Sequence, residues 1–135
     1  MPHPTERKNQ FFIITALQLI NAVEYIYQTG KQNEYNELVL CTVSYKVKQE
    51  AATIFHLYKW SNIIELLPDD ILNIENIYLR STSINIHSKR KLKKIFDPGA
   101  ELIFGHERNV FCKYISKKAK KSVQVLLDDR AGSVA

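Results

Sequence analysis

Glycine is scarce in this chain, with four in 135 residues. None of the four belongs to a GxGxxG or a GxxxxGK[ST] pattern, the glycine-rich loops that bring backbone amides close to phosphate groups. The sequence therefore excludes a dinucleotide site of the Rossmann type and a P-loop.

Cysteine and long apolar runs are also lacking. Cys41 and Cys112 lie far apart in apolar surroundings, which predicts neither a disulfide framework nor a CxxC metal site. No apolar run approaches the roughly 20 residues of a membrane span. The polar start of the chain, and Gln18, Asn21 and Glu24 soon after it, do not fit a signal peptide. We expect a cytoplasmic protein.

The charge that is present is uneven. Residues 87–121 carry eleven Lys or Arg and three acidic residues, so this stretch has a net charge of +8 and the rest of the chain −3. The basic character of the protein thus belongs to one region.

Apolar strand-like segments alternate with helical segments along the chain. We predict strands at residues 11–14, 37–42, 63–67, 74–79, 101–105 and 122–127. Helices are predicted from the N-cap Thr15 to Gly30, and at 48–60, 89–96 and 110–121. This alternation predicts one α/β domain over residues 1–135, a Rossmann-like three-layer arrangement with a mostly parallel sheet of about six strands and helices on both faces.

The last predicted strand ends in two carboxylates, Asp128 and Asp129. Parallel sheets bind ligands at the carboxyl ends of their strands. Thr15 and Gln18 follow the first strand at the same edge, where amides at a helix N-terminus can hold a sugar or an anion. Two simpler interpretations stay open: the acidic pair can merely end a strand, and Thr15 can merely cap a helix while Gln18 is solvated.

Two segments resemble bacterial sialyltransferases and polysialyltransferases, enzymes of surface-glycan synthesis with a two-domain GT-B fold. The first is residues 13–24, IITALQLINAVE, which is similar to the family's first strand, turn and helix, with Ala16 at the usual proline position. The second is residues 125–129, VLLDD, where Arg130 stands in place of the family's glycine. The resemblance implies the acceptor-side half of such an enzyme.

The resemblance also implies roles for these residues. Asp129 is the candidate catalytic base and Asp128 its support, because successive strand side chains point to opposite faces. Thr15, Gln18 and Arg130 are the candidate substrate-binding residues for a glycan acceptor. CMP-sialic acid would be the donor substrate, held by a second domain, and we expect no activity without that domain. No cofactor is implied, and an adjacent acidic pair does not indicate a metal.

Two basic helices offer a different function, that of a non-catalytic binding or interaction module. Their side chains can meet a polyanion or the anionic inner face of the membrane, although lysine-rich helix faces are often only solvated. Interleaved aromatic residues are lacking, which argues against nucleic acid. For the enzyme half implied by the resemblance, the face that would pack on the second domain would be exposed, which would favour a homodimer. The candidates for the polyanion or membrane surface are Lys89, Arg90, Lys91, Lys93, Lys94, Lys117 and Lys118.

Overall fold

The computed structural model describes residues 7–41, 45–66, 86–105 and 110–127. The strands in these ranges are β1 (Lys8–Ile13), β2 (Tyr35–Cys41), β3 (Asn62–Leu66), β4 (Glu101–Phe104) and β5 (Gln124–Leu126). The α-helices are α1 (Ala16–Gln28), α2 (Tyr45–Ala52), α3 (Ile86–Ile95) and α4 (Val110–Lys118). The strand predicted at residues 74–79 lies outside the described residues.

The five strands form one sheet in the order β3-β2-β1-β4-β5, and every neighbouring pair is parallel. The α/β class and the parallel sheet are thereby confirmed, with five strands in the described residues where about six were predicted. β1 is the central strand. β2 and β3 follow on one side of it, and β4 and β5 follow on the other side. The order therefore reverses between β1 and β4, the kind of position where open parallel sheets bind ligands.

Helices cover both faces of the sheet. Odd-numbered residues of β1, such as Phe11, pack with apolar side chains of α1 and α2, and even-numbered residues, such as Phe12, pack with those of α3 and α4. The two-residue period of a strand explains this division. Each core is built of aliphatic and aromatic side chains, so the layers are held together mainly by apolar burial.

β1 begins earlier than its apolar pattern predicts because two of its polar residues are buried. Asn9 donates a hydrogen bond to Asn36 Oδ1 on β2, over 2.8 Å. Gln10 donates to Glu37 Oε1 and to the carbonyl of Ile95, both at 2.7 Å. A buried amide without partners would be costly, so these bonds fix the amino end of β1 against β2 and the end of α3.

α2 ends well before the predicted boundary at Trp60. Thr53 follows its last residue and donates through Oγ1 to the carbonyl of Glu50 at 2.6 Å, a local bond that competes with helix continuation. A single 3-10 turn, Phe55–Leu57, comes next. Trp60 is buried beyond this turn. Its ring and that of Phe11 pack edge to face, with 5.3 Å between the ring centroids.

Tyr25 on α1 connects that helix to the start of β4. Its hydroxyl donates to Glu101 Oε2 at 3.0 Å, and Lys31 lies 3.5 Å from the other oxygen of the same carboxylate. Burial, and then the hydrogen bond and negative charge of Glu101, raise the pKa of Tyr25 to about 12. The neutral phenol is therefore the form that the fold favours.

We predict that Tyr25→Phe lowers the free energy of unfolding by about 1 kcal/mol at pH 7, because a side-chain hydrogen bond is lost. A folded pKa above the ordinary value of 10 means that stability is retained below pH 10 and lost as pH rises toward 12. Urea unfolding from pH 9 to 11.5 should show a smaller alkaline loss in Tyr25→Phe than in Tyr27→Phe, a control at a half-exposed tyrosine. Equal alkaline losses would contradict the assignment.

Candidate functional site

The carboxyl ends of β1, β4 and β5 lie side by side at one edge of the sheet. The amide of Gly105, just after β4, donates to the carbonyl of Phe12 on β1 at 2.9 Å. The amide of Leu127, just after β5, donates to the carbonyl of Phe104 on β4 at 2.8 Å. Neighbouring strands are about 4.8 Å apart, so the ends of β1 and β5 are separated by about 10 Å.

Thr15 lies at this edge as the N-cap of α1. Its extended backbone (φ −124°, ψ 165°) lets Oγ1 accept the amide hydrogen of Gln18 at 3.2 Å. The capping role predicted for Thr15 is thus present, and the cap satisfies one amide that the helix itself leaves unbonded. Its role in substrate binding stays a prediction.

Gln18 is buried in the turn between β1 and α1, with 2% of its surface exposed, and so it is not solvated. Its Oε1 accepts the backbone N–H of Ile14 at 2.9 Å. This bond returns from the first turn of α1 to the end of β1 and fixes the shape of the turn. Gln18 therefore stabilises the turn at the candidate site. Its contact with a sugar stays a prediction.

Gly105 is a site residue that the sequence analysis missed. Gln18 packs so closely against it that a methyl group at Gly105 would lie 2.9 Å from the Gln18 side-chain Cδ, well inside contact distance. Glycine thus lets the end of β4 approach the β1–α1 turn, as it does elsewhere when backbone and side chain must come together. A glycine directly after a buried strand, in a chain with few glycines, was the available signal.

The first turn of α1 carries no negatively charged side chain. Its free amide groups and the positive end of the helix dipole are therefore not neutralised from within the helix. The turn follows β1 at the reversal of strand order. A hydroxyl-rich or anionic group would meet a favourable local field there.

The acidic candidates follow the last described residue. Leu127 is buried and packs with the α1–α2 core, and Asp128 and Asp129 come directly after it in the sequence. Asp128, Asp129 and Arg130 lie outside the described residues. Their predicted roles are untested.

The predicted basic residues lie on the face of the sheet that α3 and α4 cover. Arg90, Lys93 and Lys94 are exposed on α3, opposite the buried Leu92. Lys91 is half-buried, and the side chain of Lys89 lies outside the described residues. Beyond them on the same layer, exposed lysines continue at Lys117, Lys118, Lys120 and Lys121.

A groove of about 490 Å³ lies at the opposite, amino edge of the sheet. Lys8 pairs there with Asp97 at 3.4 Å, whereas Arg7 and Lys121 are exposed at its sides. Glu101 is the remaining charged residue that lines the groove. It accepts hydrogen bonds from Tyr25 and Lys31. Both carboxylates of the groove are thus paired, which leaves it with a cationic rim.

The described residues contain neither a candidate metal-binding cluster nor a helix that could span a membrane. No group of three or more His, Cys, Asp or Glu side chains could hold a metal ion there. No helix in that part of the chain is long and apolar enough to cross a membrane.

Comparison of the chain with protein-family models, with curated proteins and with solved structures found no match. The resemblance to sialyltransferases therefore stays a prediction from the residues that carry it.

We predict that Gly105→Ala lowers the free energy of unfolding by about 2 kcal/mol, because the added methyl group overlaps the Gln18 side chain. Gly99→Ala is the matched control: its methyl group would be at ordinary contact distance, 3.4 Å from Asp97 Oδ1, and should change stability by less than about 0.5 kcal/mol. Urea unfolding measures both.

A double-mutant cycle tests the same contact. Gly105→Ala should cost less in a Gln18→Ala background, because the overlapping carboxamide is gone. The same cost in both backgrounds would show that the two residues are not coupled.

Proposed function

We propose that this chain is the acceptor-side domain of a bacterial sialyltransferase-like glycosyltransferase that acts in surface-polysaccharide synthesis. One observation supports the proposal most: β1 and β5, whose ends carry the two segments of the resemblance, are separated only by β4 and end at the same edge. The reversal of strand order at β1 supports a ligand site at that edge.

In this proposal the acceptor glycan lies across the ends of β1, β4 and β5. Asp129 takes the proton from the acceptor hydroxyl as its oxygen bonds to the anomeric carbon of the donor and the bond to CMP breaks. Asp128 supports the loop, and Arg130 contacts substrate. Thr15 lines the cleft from the start of α1.

Gln18 has a positioning role in the same proposal. Its burial and its bond to the amide of Ile14 hold the turn between β1 and α1 in one shape. A fixed turn presents the amides of the first turn of α1 to the acceptor without an ordering cost at binding. The donor, CMP-sialic acid, is assigned to a separate domain.

A second candidate function is a non-catalytic binding or interaction module with an anionic partner. The uneven charge favours it, because α3 and α4 contain no acidic residue. Together with Lys120 and Lys121, which follow α4, they carry seven of the ten exposed cations of the described residues. The two candidates use different parts of the domain, so substitutions at one surface should leave the other intact.

Acceptor binding tests the glycosyltransferase proposal. We expect an oligosialic or galactoside acceptor to bind the wild-type chain in a calorimetric titration, and Asp129→Ala to weaken binding about tenfold, as for the loss of a hydrogen bond to a charged group. Glu24→Gln, at an exposed carboxylate of α1, is the control and should bind as wild type does. Equal affinities in all three proteins would contradict the placement of the acceptor.

Turnover gives the second test. Incubated with CMP-sialic acid and acceptor, the chain alone should release no CMP above the blank, because the proposal assigns the donor site to another domain. Turnover that Asp129→Ala abolishes would contradict that assignment. With a donor-binding domain supplied, full activity in Asp129→Asn would show that Asp129 is not the base.

A further inference from the structure

The ends of α3 and α4 meet at the amino edge of the sheet. Gln10, at the start of β1, accepts the amide of Asp97 just after α3 and donates to the carbonyl of Ile95. The loop after α4 is joined to the loop after α3 by a bond from Ser122 Oγ to the carbonyl of Pro98 at 3.0 Å. The last turns of both basic helices are therefore directed to one end of the domain.

Exposed cations lie at this end of the domain and on the outer sides of α3 and α4. We call the following residues the basic surface: Arg7, Arg90, Lys93, Lys94, Lys117, Lys118, Lys120 and Lys121. Lysines in the last turn of a helix interact favourably with the negative end of the helix dipole. That effect does not account for Arg7, Lys120 and Lys121, which lie outside the helices.

The nearby acidic groups do not cancel this charge. Asp97 accepts the amide of Gly99 and pairs with Lys8, which is not counted in the basic surface. Glu101 accepts from Tyr25 and pairs with Lys31. Lys8 also lies 3.9 Å from Glu37, and Lys31 lies 3.8 Å from Glu34, so two lysines share four carboxylates and leave two negative charges. The basic surface carries eight positive charges, so its field still extends into solvent and attracts anions.

We propose that the basic surface docks the domain on an anionic phospholipid bilayer. Six of its eight members are lysines, which act as point charges and lack the planar fork with which Arg grips a single phosphate. They spread over the outer sides of two helices and one edge. Such a distribution matches the diffuse charge of a membrane surface, which attracts each nearby cation separately.

The neighbouring side chains also fit a bilayer better than a nucleic acid. Val123, directly after Lys121 and Ser122, is 64% exposed and can enter the interface between lipid headgroups and acyl chains. Tyr114, the aromatic residue described on α4, is half-buried and lies under Lys118, whose Nζ is 5.7 Å from the ring centroid. It is therefore already covered on one side by a cation and poorly placed to stack with a base.

Docking at this end leaves the carboxyl edge open to solvent. The basic surface lies at the amino edge and on the outer sides of α3 and α4, whereas β1, β4 and β5 end at the other edge. The inference names the anionic partner of the second candidate function and rests on that candidate. It does not rest on the glycosyltransferase proposal, since bilayer binding requires no glycan and no transfer reaction.

Cosedimentation with vesicles tests the proposal on the full chain. The wild-type protein should bind vesicles of 30% phosphatidylserine in phosphatidylcholine at least thirtyfold better than vesicles of phosphatidylcholine alone, with binding that weakens as salt rises. Lys93→Gln with Lys117→Gln should lower the partition coefficient about 25-fold, at about fivefold per charge.

A matched control removes the same charge elsewhere. Lys46→Gln with Lys59→Gln changes two exposed lysines on the side of the sheet that α1 and α2 cover, and should lower binding less than threefold. An equal loss in the two double variants would overturn the proposal, because net charge alone would then explain binding. So would equal binding to neutral vesicles.

A soluble polyanion separates the bilayer from a polyanionic chain. A heparin fragment should bind more weakly than the anionic vesicles at equal concentration of negative charge. Tight binding of heparin that Lys93→Gln with Lys117→Gln abolishes, without binding to the vesicles, would assign the basic surface to a polyanionic chain and overturn the bilayer proposal.

Discussion

The fold depends above all on how β1 is fixed at the centre of the sheet. It pairs with β2 on one side and β4 on the other, and its alternate side chains enter both apolar cores. Its amino end is fixed by the amide side chains of Asn9 and Gln10, and the turn at its carboxyl end by Gln18. A one-residue shift of β1 would exchange its two faces and break these bonds together. The position of β1 therefore determines the geometry of both the amino edge and the carboxyl edge of the sheet.

The apolar pattern predicted most of the fold but not the polar strand ends. Branched and aromatic runs located every described strand, and Thr15 correctly marked the start of α1. The pattern missed Asn9 and Gln10 because their burial depends on partners 27 and 85 residues away, which no local period can reveal. The early end of α2 depends on a hydroxyl bond of Thr53, which competes with the helical pattern.

The position of the candidate site could be predicted from the sequence. The roles of Gln18 and Gly105 within it could not. The rule that ligands bind at the carboxyl ends of parallel strands pointed to the turn after β1 and to the end of β5. The pattern could not show that Gln18 is buried as a brace, or that Gly105 lets it pack, because both facts depend on the distance between β1 and β4 in three dimensions. The two proposed surfaces nevertheless lie apart, with the glycan cleft at the carboxyl edge and the cations at the amino edge and on the outer sides of α3 and α4.

We propose above that the acceptor binds at the carboxyl ends of β1, β4 and β5. The most direct test of this proposal is a map of amide chemical shifts in the ¹⁵N-labelled chain as a sialic acid tetramer is added. We expect the largest changes at residues 15–19, at Gly105 and at Leu127. Changes confined to residues 90–94 and 117–121, or none at millimolar tetramer, would contradict it.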